Sequence, residues 1–311
     1  MNIASIDIGS NTVLLLIAKI NPSSPEIKTI LNKYEAPRLG RGLKKDGNIT
    51  DESIKKLLDV LSSYKKIIDE YSCETVLCTA TNAMRIAKNS EEIIKQVKSD
   101  FDIDIEIIPG EREAELSFLG ASSSLPEVKR KIVVDIGGGS TEIIFGENEE
   151  IIFKKSYPVG AVNTTETFIH QQPPNENEIK ELEISVQNTF AELKEILPNG
   201  MPLIAVAGTP TSLSAINLKL TEYVDDKVEG SRLSLEDIDN LISEFSSLTP
   251  EEILSKYDKI IKGREDVILA GTIILKTVCE LSGNREITVS GRGIRYGSVV
   301  DYLNQSSGKK G

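Results

Sequence analysis

The chain has one histidine and no tryptophan among its 311 residues. A lone imidazole, His170 in the polar stretch FIHQQPPNENE, excludes Ser-His-Asp triads, histidine phosphorylation chemistry and metal centres that gather several histidines. Its setting predicts a solvated helix end. Cysteine is equally scarce: Cys73, Cys78 and Cys279 are scattered, with no CxxC pair and no metal-ligand spacing. Reduced thiols in a cytoplasmic protein are the expectation. The longest apolar runs, such as Val13 to Ala18, are far too short to span a bilayer, so no membrane association is expected. The N-terminus MNIASIDIGS enters a strand at once, without a basic leader or cleavage site. Positive charge is in deficit, 36 Lys and Arg against 48 Asp and Glu for a net of −12, which excludes a general basic surface for nucleic acid. The length fits about two domains, and 39% hydrophobic residues suffice for two cores.

What the chain does contain is one pattern twice. Residues 3–17 read IASIDIGSNTVLLLI and residues 132–145 read IVVDIGGGSTEIIF. Each is an apolar strand ending in Asp-Ile-Gly, a tight turn of small residues, then a second strand. Asp7 and Asp135 occupy the same point of the two copies, as do the turns that hold Gly9 and Ser10, and Gly137, Gly138, Gly139 and Ser140. A glycine-rich turn lets backbone N–H groups converge on an oxyanion, and an adjacent carboxylate can hold a divalent cation. Two such turns face to face would grip a phosphate chain from both sides. That points to phosphoryl chemistry, with the local positive charge supplied by metal or by a few arginines.

The repeat extends beyond the turns. Strands are expected at 3–8, 11–20 and 26–36, a helix at about 52–70 with Thr50 and Asp51 as its cap, a strand at 74–80, a helix at 82–99, a strand at 103–109 and a helix at 111–122. The second half offers strands at 131–136, 141–147 and 150–157, helices at about 160–170 and 176–196, a strand at 202–208, helices at 211–219, 234–247 and 265–282, a strand at 286–290 and a last helix from 293. The duplicated βββαβαβα order predicts an α/β protein of two ribonuclease-H-like domains with a cleft between them. Expected boundaries are 1–124 for the first domain, with the C-terminal helix a candidate to join it, 125–303 for the second, and a disordered tail at 304–311. The stretch 121–130 reads as the hinge. Ligands in such sheets sit at the carboxyl ends of the strands, where both Asp-Ile-Gly turns lie.

Two further segments carry chemistry. Thr79, Thr81, Asn82 and Arg85 sit where a buried strand passes into a helix. Thr81 or Asn82 can cap that helix, and the Arg85 guanidinium can take phosphate oxygens bidentately. Pro109-Gly110 end a strand, and Glu111, Glu113 and Glu115 crowd the following helix start, where the helix dipole favours an ionised carboxylate. Spacing alone does not rank these three glutamates.

The motifs DIGSNT, TATNAMR, PGEREAEL, DIGGGSTE, AGTPTS and SGRGIRYG occur in that order over nearly the whole chain. Together they resemble the exopolyphosphatase and guanosine-pentaphosphate phosphohydrolase family, Ppx/GppA, of the actin, sugar kinase and Hsp70 fold group. The length matches its short, two-domain members. The resemblance implies that Glu113, before the alanine of its motif, is the catalytic base. It implies that Asp135, matched by Asp7, ligates Mg²⁺ or Mn²⁺. It places phosphate oxygens on Ser10, Asn11 and Thr12, on Gly137 to Thr141, on Arg85, on Gly208 and Thr209, and on Arg295, with Arg292 and Arg264 nearby. Glu142 reads as an outward strand residue or as an acid behind the metal ligand. Two departures stand out: Glu229 where many relatives carry histidine, and Tyr296 where many carry glutamate. The implied activity is metal-dependent release of orthophosphate from inorganic polyphosphate by a homodimer, with guanosine pentaphosphate as the alternative substrate. A small-molecule kinase and a non-catalytic nucleotide-binding protein are the readings outside hydrolysis.

Overall fold

A computed structural model describes residues 1–21, 24–148 and 150–306. The first half runs β1 (Asn2–Ile8), β2 (Val13–Asn21), β3 (Ser24–Glu35), α1 (Leu43–Asp46), α2 (Asp51–Glu70), β4 (Thr75–Ala80), α3 (Asn82–Ile86), α4 (Ser90–Phe101), β5 (Glu106–Ile107) and α5 (Gly110–Ser124). The second half opens with β6 (Arg130–Ile136), β7 (Thr141–Glu147), β8 (Glu150–Tyr157), α6 (Ala161–Phe168), α7 (Glu176–Phe190), α8 (Leu193–Ile196) and β9 (Leu203–Val206). It continues with α9 (Gly208–Asn217), α10 (Asp225–Val228), β10 (Arg232–Ser234), α11 (Leu235–Ser246), α12 (Pro250–Ile261), α13 (Ile268–Leu281), β11 (Glu286–Val289) and α14 (Ile294–Ser306).

Two mixed sheets result, in the orders β3-β2-β1-β4-β5 and β10-β11-β9-β6-β7-β8. In each, the first two strands of the repeat form an antiparallel hairpin and a later strand adds in parallel. Ile8 pairs Val13 across one hairpin and Ile136 pairs Thr141 across the other, while Asp7 pairs Thr79 and Asp135 pairs Val206 on the parallel side. The repeat read from sequence is therefore a structural one: both aspartates stand at the carboxyl end of the central strand of their sheet.

Helical periodicity explains the layers. In α2, Leu57, Leu61, Tyr64 and Ile68 face the first core, and the Thr50 side chain accepts from the Ser53 N–H to cap the helix. Each such apolar side chain removed from water contributes about 1.5–3 kcal/mol. The final helices of the halves are exchanged. α5 lays Ala114, Phe118 and Ala121 on Val133, Ile144, Ile204 and Val206 of the second sheet, and α14 lays Tyr296, Val299 and Leu303 on Ile3, Leu16, Ala18 and Ile20 of the first. They cross in backbone contact: a Cβ on Gly297 would stand 1.8 Å from the Leu116 carbonyl oxygen, and one on Gly120 2.3 Å from that of Gly293.

Several boundaries differ from the sequence expectation. The helix expected at 82–99 is broken, because the Asn89 amide both accepts from the Ile49 N–H and donates to the Ile49 carbonyl, and Lys88 N–H bonds to Gly47. The strand expected at 103–109 pairs only at Glu106–Ile107. α12, with Thr249 capping Glu252, has no counterpart in the sequence expectation, which stepped from 247 to 265. The hinge segment is helical as far as Ser124. Of the tail expected at 304–311, the chain to Ser306 is helical, and residues 307–311 lie outside the described residues.

Candidate active site

The two hairpin turns are built alike. The Gly9 N–H donates to the Thr12 carbonyl at 2.8 Å and the Gly137 N–H to the Ser140 carbonyl at 2.9 Å, so each turn closes on itself and presents its small residues to the space between the domains. They meet there. A Cβ on Gly138 would lie 3.1 Å from the Ser10 Cβ, and one on Gly139 would lie 1.9 Å from the Asn82 amide nitrogen. Only glycine allows these side chains of the first half to approach the second turn so closely.

Between the turns lies a cleft of about 890 Å³, in the range of ligand sites. Asp7, Ser10, Asn11, Thr12, Glu113 and Asp135 line it, together with Gly137 to Ser140, Gly208, Thr209 and Arg295. Glu113 opens the α5 helix, is only 4% exposed, and takes an Arg85 Nη1 contact at 3.2 Å. The same Arg85 nitrogen donates to the Ile108 carbonyl at 2.8 Å. Burial, then the Asp135 charge, push the Glu113 carboxyl up to about 8, with Arg85 opposing. Burial and Asp135 push Asp7 to about 7, and burial pushes Asp135 to about 6 against the hydrogen bond it accepts from Ser117 Oγ. Asp7, Glu113 and Asp135 thus gather three largely buried carboxyls on one cleft, and Asp7 Oδ1 is shielded from solvent with no hydrogen-bond partner.

The structure places other expected residues differently. Thr141 is fully buried and its hydroxyl donates to the Val159 carbonyl, so it braces the turn from behind. Arg85 turns to Glu113, and the α3 helix it belongs to is only five residues long with no side-chain cap from Thr81. Arg295 lines the cleft while its Nε donates to Asn32 Oδ1 at 3.3 Å. Arg292 points away, donating to the Ser123 carbonyl and lying over the Tyr296 ring. Arg264 lines the cleft with its Cζ over the Tyr34 ring, 4.2 Å from the centroid, and a Cβ on Gly208 would collide with its guanidinium. His170 is exposed just beyond α6, and the three cysteines are free.

Two groups were missed or misread in the sequence. Glu142 is completely buried, not an outward strand residue: Oε1 accepts from Ser156 at 2.6 Å, Oε2 has no partner, and burial with the charges of Glu113 and Asp135 lifts its carboxyl well above the usual range. Its register opposite Asp135 was the available signal. The second is a clasp across the cleft mouth. Arg38 pairs with Glu265 at 2.5 Å and Asp266 at 3.1 Å, Asn11 Nδ2 donates to Gly263, and Tyr34 OH donates to Lys262. No short motif marks those partners, which lie more than two hundred residues apart.

Two ribonuclease-H-like domains that close glycine turns and a ring of carboxylates over one cleft define a phosphoryl-transfer protein of the actin-like fold class. The comparisons with known proteins narrow this. The sequence profile of the Ppx/GppA phosphatase family matches residues 16–306, and the chain belongs to that family. It is 36% identical over 96% of its length to a bifunctional 3-dehydroquinate synthase/phosphatase of Fusobacterium nucleatum, of which it spans 46%. It is 29% identical to exopolyphosphatase 2 of Mycobacterium tuberculosis, covering 96% of this chain and 97% of that one. Among solved structures, an Aquifex aeolicus Ppx/GppA family member superposes with a TM-score of 0.82 at 34% identity, with 98% of each chain covered. An exopolyphosphatase from Cytophaga hutchinsonii gives 0.90 at 30% identity, also over 98% of each chain.

Proposed function

We propose that the chain is an exopolyphosphatase that hydrolyses the terminal phosphoanhydride of linear inorganic polyphosphate and releases orthophosphate. The observation that carries this reading is the placement of Glu113 on the same cleft as both phosphate turns, beside Asp7 and Asp135. Glu113 orients a water and takes its proton as the new P–O bond forms. The bridging P–O bond breaks, and the shortened chain leaves with the electron pair. Arg85 holds the carboxylate in place, and the amides of residues 10–12 and 138–140 bind the phosphate oxygens. With its carboxyl pushed up to about 8 in the ligand-free chain, Glu113 holds a proton near neutral pH and becomes a base once the charges of Asp7 and Asp135 that help to raise it are offset.

The residues fit a hard divalent cation, Mg²⁺ or Mn²⁺. Among the described residues no group of three or more side chains is arranged to hold a metal alone. Asp7, with its orphaned buried oxygen, and Asp135 are the two that would hold it, leaving the other positions to water and phosphate oxygen. Bound there, the cation would offset the carboxylate repulsion and neutralise charge on the transferred phosphoryl group.

A second reading, hydrolysis of guanosine pentaphosphate by the same groups, is favoured by the Tyr223 ring and the Asp225 carboxylate at one end of the cleft, which suit a nucleoside better than a polyanion. The free thiols support the cytoplasm as its place, and no described helix is long and apolar enough to cross a membrane. The homodimer implied by family resemblance is read by light scattering. Orthophosphate release from long-chain polyphosphate, guanosine pentaphosphate and ATP, with and without Mg²⁺ or Mn²⁺, tests the function. Cation-dependent release from polyphosphate is expected. Release from the pentaphosphate alone would select the second reading, phosphate transfer from ATP to a small molecule without orthophosphate release a kinase of the same fold group, and neither release nor transfer by the folded protein a binding protein.

A further inference from the structure

We infer that Asn32 is a positioning residue of the cleft: its side-chain amide aims Arg295 at the phosphate chain and ties that aim to the approach of the two domains. The inference rests on the reading of the cleft as a polyphosphate site, and both residues line that cleft with Glu113 and Asp7.

The strand that carries Asn32 is irregular. Along β3, Leu31 pairs with Ile17 and Thr29 with Ala18, so Ile30 is an extra residue in the ladder. In a regular strand, residues at an odd spacing point to opposite faces. A bulge re-aims the side chains beside it. Here it turns Thr29 and Asn32 to the same side, where both reach the Tyr296 hydroxyl of α14, at 2.9 and 3.0 Å.

The partners of the Asn32 amide fix its orientation. Nδ2 donates to Asp225 Oδ2 at 2.9 Å and to the Tyr296 hydroxyl at 3.0 Å. An ionised carboxylate can only accept, so the nitrogen must face Asp225, and both of its hydrogens are engaged. The oxygen therefore faces the other way, where Oδ1 accepts from Arg295 Nε at 3.3 Å. A flipped amide would set N–H against N–H at Arg295 and oxygen against oxygen at Asp225. The Tyr296 ring, with its centroid 5.4 Å from the Arg295 Cζ, supports the same guanidinium. With Nε spent, the Nη hydrogens have no partner among the described residues, and Arg295 forms no ion pair among them. A guanidinium held in this way presents its two Nη groups end-on, a fork for two phosphate oxygens. Tyr296, one of the two departures from the family pattern, serves as a neutral acceptor beside it, so its side chain does not compete for the Arg295 charge.

The same network crosses between the halves. Asn32 belongs to the first sheet, and Arg295 and Tyr296 open α14, which packs on that sheet, whereas Asp225 starts α10 in the second half. Asp225 is the group through which the second half holds the Asn32 amide. Separation of the domains would free the amide and, with it, the guanidinium. Arg295 is thus aimed only when the domains are together, through contacts distinct from the clasp at Arg38.

The test is the affinity of the full chain for inorganic triphosphate with Mg²⁺, measured by calorimetry with Glu113→Gln throughout so that the ligand survives. Turnover plays no part in this readout. Failure of the hydrolase reading is seen separately, as triphosphate binding without orthophosphate release by the unsubstituted chain. Asn32→Ala should weaken triphosphate about tenfold, the scale of one hydrogen bond to a charged group. Arg295→Ala should weaken it further, and adding Asn32→Ala to that variant should change little, because the amide acts through the guanidinium. Asp225→Ala separates positioning from plain electrostatics. Removing a carboxylate beside a polyanion should by charge alone tighten binding, whereas loss of the amide's anchor should loosen it about threefold or more. Unchanged affinity in Asn32→Ala, losses that simply multiply in the double variant, tighter binding in Asp225→Ala, or a folded chain that takes up no triphosphate would each overturn the inference.

Discussion

Replacing Gly297 with alanine should damage both stability and turnover, although it improves helix propensity. Gly297 lies in the first turns of α14, where its added methyl would stand 1.8 Å from the Leu116 carbonyl oxygen and 2.5 Å from its carbon. Ordinary contact distance requires α5 and α14 to separate by about 1.6 Å, and both partners are backbone that cannot rotate away. Overpacking of this kind costs about 1–3 kcal/mol, against a gain of up to about 1 kcal/mol for alanine over glycine in a helix. A net loss of about 1–2 kcal/mol lowers Tm by about 2–3 °C in a chain of this size. The displaced helix carries Glu113 at its start, and misplacement of a reacting group by about 1 Å costs on the order of a hundredfold in rate. Calorimetry and orthophosphate release on Gly297→Ala, with Ser306→Ala at the exposed end of the same helix as control, measure both effects. Wild-type Tm and kcat in Gly297→Ala would refute the idea that this crossing positions the base.

Ala207 holds φ 78° and ψ −170°, a region that glycine alone adopts freely. Ala207→Gly should therefore raise Tm by about 2–4 °C with activity retained, and a fall in Tm would show that the strain is absent. Arg38→Ala removes the clasp contacts to Glu265 and Asp266. It should raise KM about fivefold or more with a smaller change in kcat, and an unchanged KM would count against the clasp. Burial, with the mutual repulsion of the carboxylates, pushes Glu113 up to about 8, Asp7 to about 7 and Asp135 to about 6 in the native chain, above their ordinary 4.5, 3.8 and 3.8. The native state then binds more protons than the unfolded chain, so stability contributed by these groups falls as pH rises from about 4 to about 8. Urea titrations at pH 5.5 and 8 should show this decline, to which buried Glu142 adds in the same direction, with Glu113→Gln flattening it; a rise in stability toward pH 8 would contradict the burial of these ionisable acids.

The repeat was legible because its signal is local. Asp-Ile-Gly followed by small residues constrains a hairpin turn, and apolar alternation with helical spacing separates strand from helix. α12 was missed because its periodic face falls between two stronger patterns and breaks at Tyr257. Asn89 ended a helix through a hydrogen-bonded pair with Ile49, a partner that sequence spacing does not reveal. At the site, the turns and Glu113 were accessible from motifs. The burial of Glu142, the withdrawal of Thr141 and the clasp at Arg38 depend on register and on contacts between distant segments. The C-terminal helix was a candidate from sequence to join the first domain; the packing of α5 on the second sheet was not, since its apolar face does not say which sheet receives it.

The most direct measurement is the orthophosphate release rate of Glu113→Gln on polyphosphate with Mg²⁺, alongside its affinity for triphosphate and its melting temperature. A general base that aligns and deprotonates water contributes on the order of a hundredfold to ten-thousandfold. The account predicts a loss of at least about a hundredfold in kcat, with triphosphate still bound and the fold as stable as wild type or more so at pH 8. Near-wild-type kcat in a folded Glu113→Gln protein would contradict it and move the proton acceptor to another carboxylate of the cleft.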